Sequence, residues 1–196
     1  MKRTLLFLGL TAMMLMSSCS SNKNTAKNDY RSPFGETYES PCLELDSDTE
    51  FGATGIYQCS ASQKGQAQSF ALQNAQQQIR MKMQHVYRGM VSDFSQNYGG
   101  NAGNDIQNKI TIAGDQVINE VINDTRATCV KFSGVDDRGN IECYVGIRIS
   151  KTKLAKEISH RVSDALTQDE KARIDFNEQR YREDMEARFR RFQENN

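Results

Sequence analysis

Residues 140–150 read NIECYVGIRIS. Ile141, Cys143, Val145, Ile147 and Ile149 alternate strictly with Glu142, Tyr144, Gly146 and Arg148. Side chains on a strand alternate between its two faces, so this stretch reads as a strand with one buried face. Upstream, Val130 and Phe132 lead into Asp136-Asp137-Arg138-Gly139, a turn-forming run. A β-hairpin is therefore expected over residues 125–149. Pairing Cys143 with Phe132 and Val145 with Val130 puts both apolar sets on one face. A slip of one residue would oppose Val145 with Lys131. In the favoured register Cys143 points to the core and Cys129 to the other face.

A further strand is expected from Gly52 to Ser62, with the β-suited centre Ile56-Tyr57-Gln58-Cys59. Cys42-Leu43-Glu44-Leu45 is expected as a short edge strand. Asp46, Asp48 and Glu50 follow at alternate spacing, but a calcium loop needs glycine at its sixth position, where this chain has Phe51. An acidic turn is the expectation.

Residues 63–97 carry the strongest helical pattern. Ala67, Ala71, Ala75, Ile79, Met83, Tyr87, Met90 and Phe94 recur every three or four residues and form one stripe. The first half of the stripe is alanine, which lets a helix backbone come close to a sheet. The second half is bulky. Tyr98 to Gly103 reads as a helix–helix turn. A second helix follows from Asn104 to about Ile122, with Ile106, Ile110, Ala113, Val117 and Val121 inward. Ser150 is placed to cap a third helix bearing Leu154, Ile158, Val162 and Ala165. Thr167 and Glu170 have capping-box spacing ahead of a last helix, 168–193. Its stripe holds Ile174, Tyr181, Met185, Phe189 and Phe192. Glu178/Arg182, Asp184/Arg188 and Glu186/Arg190 stand four apart on its other faces. The expected fold class is α+β. A small three-stranded antiparallel or mixed sheet is packed by a long helix, with further helices and a charged C-terminal helix.

The N-terminus supplies a different kind of information. Lys2 and Arg3 precede LLFLGLTAMMLM, residues 5–16, which carry no charge. Twelve residues are too short for a bilayer core, which takes about 20 in a helix. They fit the apolar region of a secretory signal peptide. Ser17, Ser18 and Cys19 follow. This resembles the bacterial lipoprotein box, although Met16 stands where leucine is usual. The resemblance implies that Cys19 is diacylated with palmitate-type chains and becomes the new N-terminus. Ser20, rather than aspartate, then implies the outer membrane, on its periplasmic or its surface side. The competing reading is an ordinary secretory signal that leaves a soluble periplasmic protein. Residues 20–41 are polar, hold both prolines and read as a flexible tether. The expected division is signal 1–18, tether 19–41, an α/β domain 42–167 and the charged helix 168–196.

Without Lys2 and Arg3, 23 of the 25 basic residues remain against 25 acidic ones. That balance gives no reason to expect nucleic acid as a partner. The arginines at 180, 182, 188, 190 and 191 are interleaved with acids. Beyond Cys19, four cysteines remain: Cys42, Cys59, Cys129 and Cys143. In an exported chain they suggest two disulfides, with three connectivities open. The hairpin register separates Cys129 from Cys143, so Cys59–Cys143 and Cys42–Cys129 are the expected bridges.

The order of elements and the signal resemble the Lpp-twenty family of envelope lipoproteins, in particular relatives with a charged C-terminal helix. The matching stretches are Pro41-Cys42, FGATG with Ala71 and Ala75 behind it, VINDTRATCVK, YVGIRISK and DEKARIDF, within residues 41–190. The resemblance implies a compact α/β domain on the cell envelope and supplies no catalytic residues. Against that pattern Cys59 and Cys143 are additions, which agrees with one extra bridge.

Nothing in the sequence favours an enzyme. His85 and His160 are the only histidines and fall on polar helix faces, so no metal cluster is expected. No nucleophile elbow, phosphate loop or dinucleotide fingerprint occurs, and no cofactor is expected. The expected function is a non-catalytic binding or assembly module, held at the membrane by its lipid. The alternative is a small-molecule-binding protein or enzyme of the periplasm with no recognisable motif. Tyr181, Met185, Phe189 and Phe192 form the expected interaction surface, for a second protein or a second copy. The other use of that stripe is packing back on the first helix.

Overall fold

The computed structural model describes residues 40–98 and 104–194. Its elements are β1 (Glu50–Ser60), α1 (Lys64–Tyr98), α2 (Asn104–Asn123), β2 (Cys129–Phe132), β3 (Asn140–Ser150), α3 (Lys151–Ala165), α4 (Gln168–Arg173) and α5 (Glu178–Glu194). The class is α+β, with one antiparallel sheet in the order β1-β3-β2. The strictest alternation in the chain thus belongs to the central strand. The hairpin has the expected register, Phe132 opposite Cys143 and Val130 opposite Val145. Ile141, Cys143, Val145, Ile147 and Ile149 are all buried. β1 starts earlier than expected, and Ala61–Gln63 form a short 3-10 turn instead of extending it. The expected turn at residues 99–103 lies outside the described residues.

α1 lies on the inner face of the sheet through its small residues. Ala67, Ala71 and Ala75 are 0 % exposed. A β-carbon on Gly55 would sit 1.9 Å from the Ala71 carbonyl oxygen and 2.4 Å from the Ala75 nitrogen. Helix backbone therefore rests directly on strand backbone, which only glycine against alanine allows. Farther along, Tyr87 is buried against α2. Its hydroxyl donates to the Ile110 carbonyl at 2.6 Å, and its ring fills the space a side chain on Gly114 would need. The Tyr181 hydroxyl approaches it at 3.5 Å. Burial pushes both phenols well above the usual tyrosine range.

α1 also guards the free edge of β1. Asn74 Nδ2 donates to the Ile56 carbonyl at 2.9 Å, and Lys82 Nζ to the Gly52 carbonyl at 2.8 Å. An edge strand covered by polar side chains is a poor template for another chain.

The last helix is not continuous. α4 carries the expected capping box, Thr167 with Glu170, but ends at Arg173. Ile174 turns inward at 2 % exposure, and Asp175 takes a positive φ of 47°. Asn177 then accepts the Arg180 amide at 2.9 Å and restarts the helix as α5. Burial of Ile174 and a second local cap together override the continuous periodicity. Ser150 caps α3 as expected, accepting the Lys153 amide at 3.3 Å.

Candidate functional site

The sequence-derived sites fare differently. Cys19 and the tether up to residue 39 lie outside the described residues. Cys42 and Cys129 are bonded, with their α-carbons 5.5 Å apart. Cys59 and Cys143 are both reduced, so the second expected bridge is absent. The reason is register. Tyr57 stands opposite Cys143 and Ile141 opposite Cys59, so the two thiols are diagonal neighbours and not a facing pair. The C-terminal stripe is also corrected as an interaction surface. Tyr181, Met185 and Phe189 are 2 %, 0 % and 0 % exposed, and Phe192 is half-buried. Phe189 packs edge-on against Phe51 at 5.2 Å, Phe192 lies 6.1 Å from the same ring, and Tyr181 meets Phe94 at 5.4 Å. The stripe closes the core, packing chiefly on α3, with α1 and the Phe51 ring of β1 covering the rest. Arg188 pairs across to Asp93 of α1 at 3.0 Å, where a pair with Asp184 was expected. His85 and His160 are exposed, as the polar faces imply.

The most built-up polar region is one the sequence reading misassigned. Residues 42–45 are not the expected edge strand, and with residues 46–48 they take another form. They form a strap across the outer face of β1 and β3, over small residues. A β-carbon on Gly52 would lie 2.5 Å from the Leu45 carbonyl oxygen, and one on Gly146 2.6 Å from the Glu44 side chain. Thr54 Oγ1 donates to the Cys42 carbonyl at 2.7 Å and accepts from the Glu44 amide at 2.8 Å. Glu44, only 9 % exposed, is held by Arg148 and by Thr128 Oγ1 at 2.9 Å. That contact holds the Arg148 guanidinium even more firmly protonated than usual. Asp46 accepts from Lys82 and from the Gly52 amide, both at 3.0 Å. The Lys151 amine, 2 % exposed, donates to the Ser47 carbonyl at 2.7 Å and sits 4.9 Å above the Phe51 ring. Burial lowers its pKa, and Asp46 and Asp48 oppose that. On a strand, Leu43 and Leu45 would share one face and Glu44 would take the other. The structure turns them out at 56 % and 68 % exposure and sends Glu44 in. The signal for this was the unusual acid between two leucines, answered by Arg148 far along the chain.

Beside the strap, a cavity of about 320 Å³ opens between the end of α2 and the start of α3. Glu120, Asp124, Arg126, Arg148, Lys153 and Glu157 line it, so it carries both signs equally. Several of these charges are already engaged: Arg148 with Glu44 and with Glu50 at 3.2 Å, Glu120 with Arg161 at 2.7 Å. Such a lining suits a small molecule bearing both charges more than a strongly charged one. Among the described residues, no group of three or more His, Cys, Asp or Glu side chains is gathered to hold a metal ion. No described helix is long and apolar enough to cross a membrane. Compared with protein-family models, curated proteins and solved structures, the chain shows no significant match to any.

Proposed function

We propose that this chain is an envelope lipoprotein of the Lpp-twenty kind, acylated on Cys19 and held at the outer membrane. Its domain acts there as a non-catalytic binding or assembly module. The observation that supports this most is the spacing between anchor and fold. The described fold begins at Ser40, twenty-one residues after Cys19. A flexible chain of that length spans about 25 Å on average, enough to hold a domain clear of lipid headgroups. Each buried acyl CH₂ contributes about 0.8 kcal/mol, and two or more chains hold stably where one does not. Because the α5 stripe is buried, the outward surface we assign to the partner is the strap together with the adjoining outer face of β1. Leu43, Leu45 and Ile56, at 56 %, 68 % and 44 % exposure, are its apolar contacts.

The anchor is tested by labelled-palmitate incorporation and mass spectrometry of the mature N-terminus, with Cys19→Ala as the control. An unmodified Cys19 removes the reading. The module is tested by affinity capture from envelopes with the parent and with a Leu43→Ser, Leu45→Ser variant. Capture of the same protein by both would rule out the strap as the contact. The second reading, a small-molecule-binding protein, is favoured by the mixed-charge cavity. Thermal shift of the domain by amino acids and short peptides, abolished by Arg126→Ala, would establish it over the first.

A further inference from the structure

The two reduced cysteines form the one nucleophilic pair among the described residues that the proposed function does not use. Both lie on the α1 side of the sheet, Cys143 fully buried and Cys59 half-buried beside it. Each faces another residue in the register, Tyr57 opposite Cys143 and Ile141 opposite Cys59. Diagonal neighbours on adjacent strands have α-carbons about 7–8 Å apart, with β-carbons somewhat closer. A disulfide needs β-carbons about 3.5–4.5 Å apart. The offset is too long for a direct sulfur–sulfur bond. It suits a bridge with one more atom in it. A metal–sulfur bond of about 2.3 Å on each side separates the sulfurs by about 4.6 Å.

The surroundings decide which metal. Tyr57 stacks on Phe70 with ring centroids 4.8 Å apart, and Phe132 stands opposite Cys143 on the other side of β3. The Lys64 amine lies 4.5 Å above the Phe132 ring. Among the described residues, no third His, Cys, Asp or Glu joins the two sulfurs. A pair of thiolates, one fully buried and one half-buried, without oxygen or imidazole donors selects a soft ion content with two ligands. We propose that Cys59 and Cys143 form a two-coordinate site for a soft monovalent metal ion, cuprous copper being the biological representative.

On binding, both S–H bonds break, both protons pass to water, and two S–Cu bonds form. Copper stays in its +1 state and no electron moves. The complex carries one net negative charge, and Lys64 supplies a facing positive one. Half-buried Cys59 is the side from which the ion arrives. Burial pushes the Cys143 thiol up, an effect that Cys59 adds to and Lys64 opposes. The inference stands independently of the lipid anchor and of any protein partner.

The test uses the full chain with the Cys42–Cys129 bridge intact. Silver(I) serves as a redox-inert probe, followed by copper(I) in anaerobic competition with a chromogenic chelator. One equivalent is expected to bind and to protect both thiols from alkylation, read by mass spectrometry. X-ray absorption of the copper form is expected to show two sulfur neighbours and no lighter ligand. Cys59→Ser is expected to weaken binding at least 100-fold while keeping the parent's circular dichroism. Should Cys143→Ser fail to fold, Cys59→Ser and the alkylation pattern decide the matter. Unchanged alkylation of the half-buried Cys59 with metal present, or parent-like affinity in Cys59→Ser, overturns the proposal. So does a Cys59–Cys143 disulfide in protein isolated without reductant, since it would place the sulfurs within direct bonding range.

Discussion

Replacing Gly55 with alanine puts the seating of α1 on β1 to a direct test. The new β-carbon would lie 1.9 Å from the Ala71 oxygen and 2.4 Å from the Ala75 nitrogen, where ordinary contact begins at 3.4 Å. The helix must therefore retreat by about 1.5 Å. Both obstacles are backbone, so no rotamer change relieves them. A retreat also opens the layer under Ala67, Ala71 and Ala75, each fully buried. Overpacked cores lose about 1–3 kcal/mol, occasionally more, and this site belongs at the upper end, about 3 kcal/mol. Gly65→Ala is the matched control. It lies in α1 with nothing within 4 Å of its added carbon. Alanine in a helix is better than glycine by about 0.5–1 kcal/mol, so this variant is expected to be stabilised. Urea unfolding measures both, as opposite shifts of midpoint at constant slope. A Gly55→Ala variant within about 0.5 kcal/mol of the parent would refute the argument, because surface changes alone stay in that range.

Replacing Cys42 and Cys129 together with serine opens a loop with a sequence separation of 87. The chain-entropy model gives a loss of about 4–5 kcal/mol, and urea unfolding should show most of it. A loss below about 1 kcal/mol would mean that the polar strap contacts close the loop without the bond. Tyr87→Phe removes the donor to the Ile110 carbonyl and the partner of Tyr181. A cost of about 1–3 kcal/mol is expected, and a variant as stable as the parent would show the hydroxyl to be idle. Glu170, bonded to Lys109 and Thr167, has its carboxyl pKa lowered to about 2 from 4.5. A depressed carboxyl stabilises fully above its unfolded pKa and loses that contribution as pH falls through its folded one. Stability should therefore decline between about pH 4.5 and pH 2, and Glu170→Gln should flatten that part of the curve. An unchanged slope would exclude the Glu170 carboxylate, with its Lys109 and Thr167 bonds, as its source.

The hairpin and its register were legible because the apolar residues of β3 alternate strictly, and period two then allows a single alignment, even though Tyr144 and Gly146 on its other face are buried as well. The α1 stripe was legible for the same reason, at a period of 3.6. Cys42–Cys129 followed from that register, since it sends Cys129 to the outer face. What escaped was whatever depends on residues distant in sequence. Leu43-Glu44-Leu45 resembles a strand until Arg148, Thr128 and Thr54 are brought beneath it. Cys59 faces Ile141 only once the start of β1 is fixed at Glu50. The break at Asp175 is invisible in a helical stripe that Ile174 continues faultlessly. The mixed-charge cavity has no local signature, being drawn from two helix ends and the tip of a strand. The C-terminal stripe was legible as apolar, but whether its cover was internal or foreign was not written in its spacing.

The Cys42–Cys129 bond has a mechanical consequence. A pull from the N-terminus reaches Cys42 before it reaches β1, which starts only at Glu50. The load therefore passes straight to β2, at the far side of the sheet from β1. Everything between the two cysteines, including β1, α1 and α2, is shielded from tension. Stretched end to end, the oxidised chain would hide that segment, with a separation of 87, from its unfolded length. Reduction would release roughly 300 Å of extra extension, at about 3.3–3.6 Å per residue.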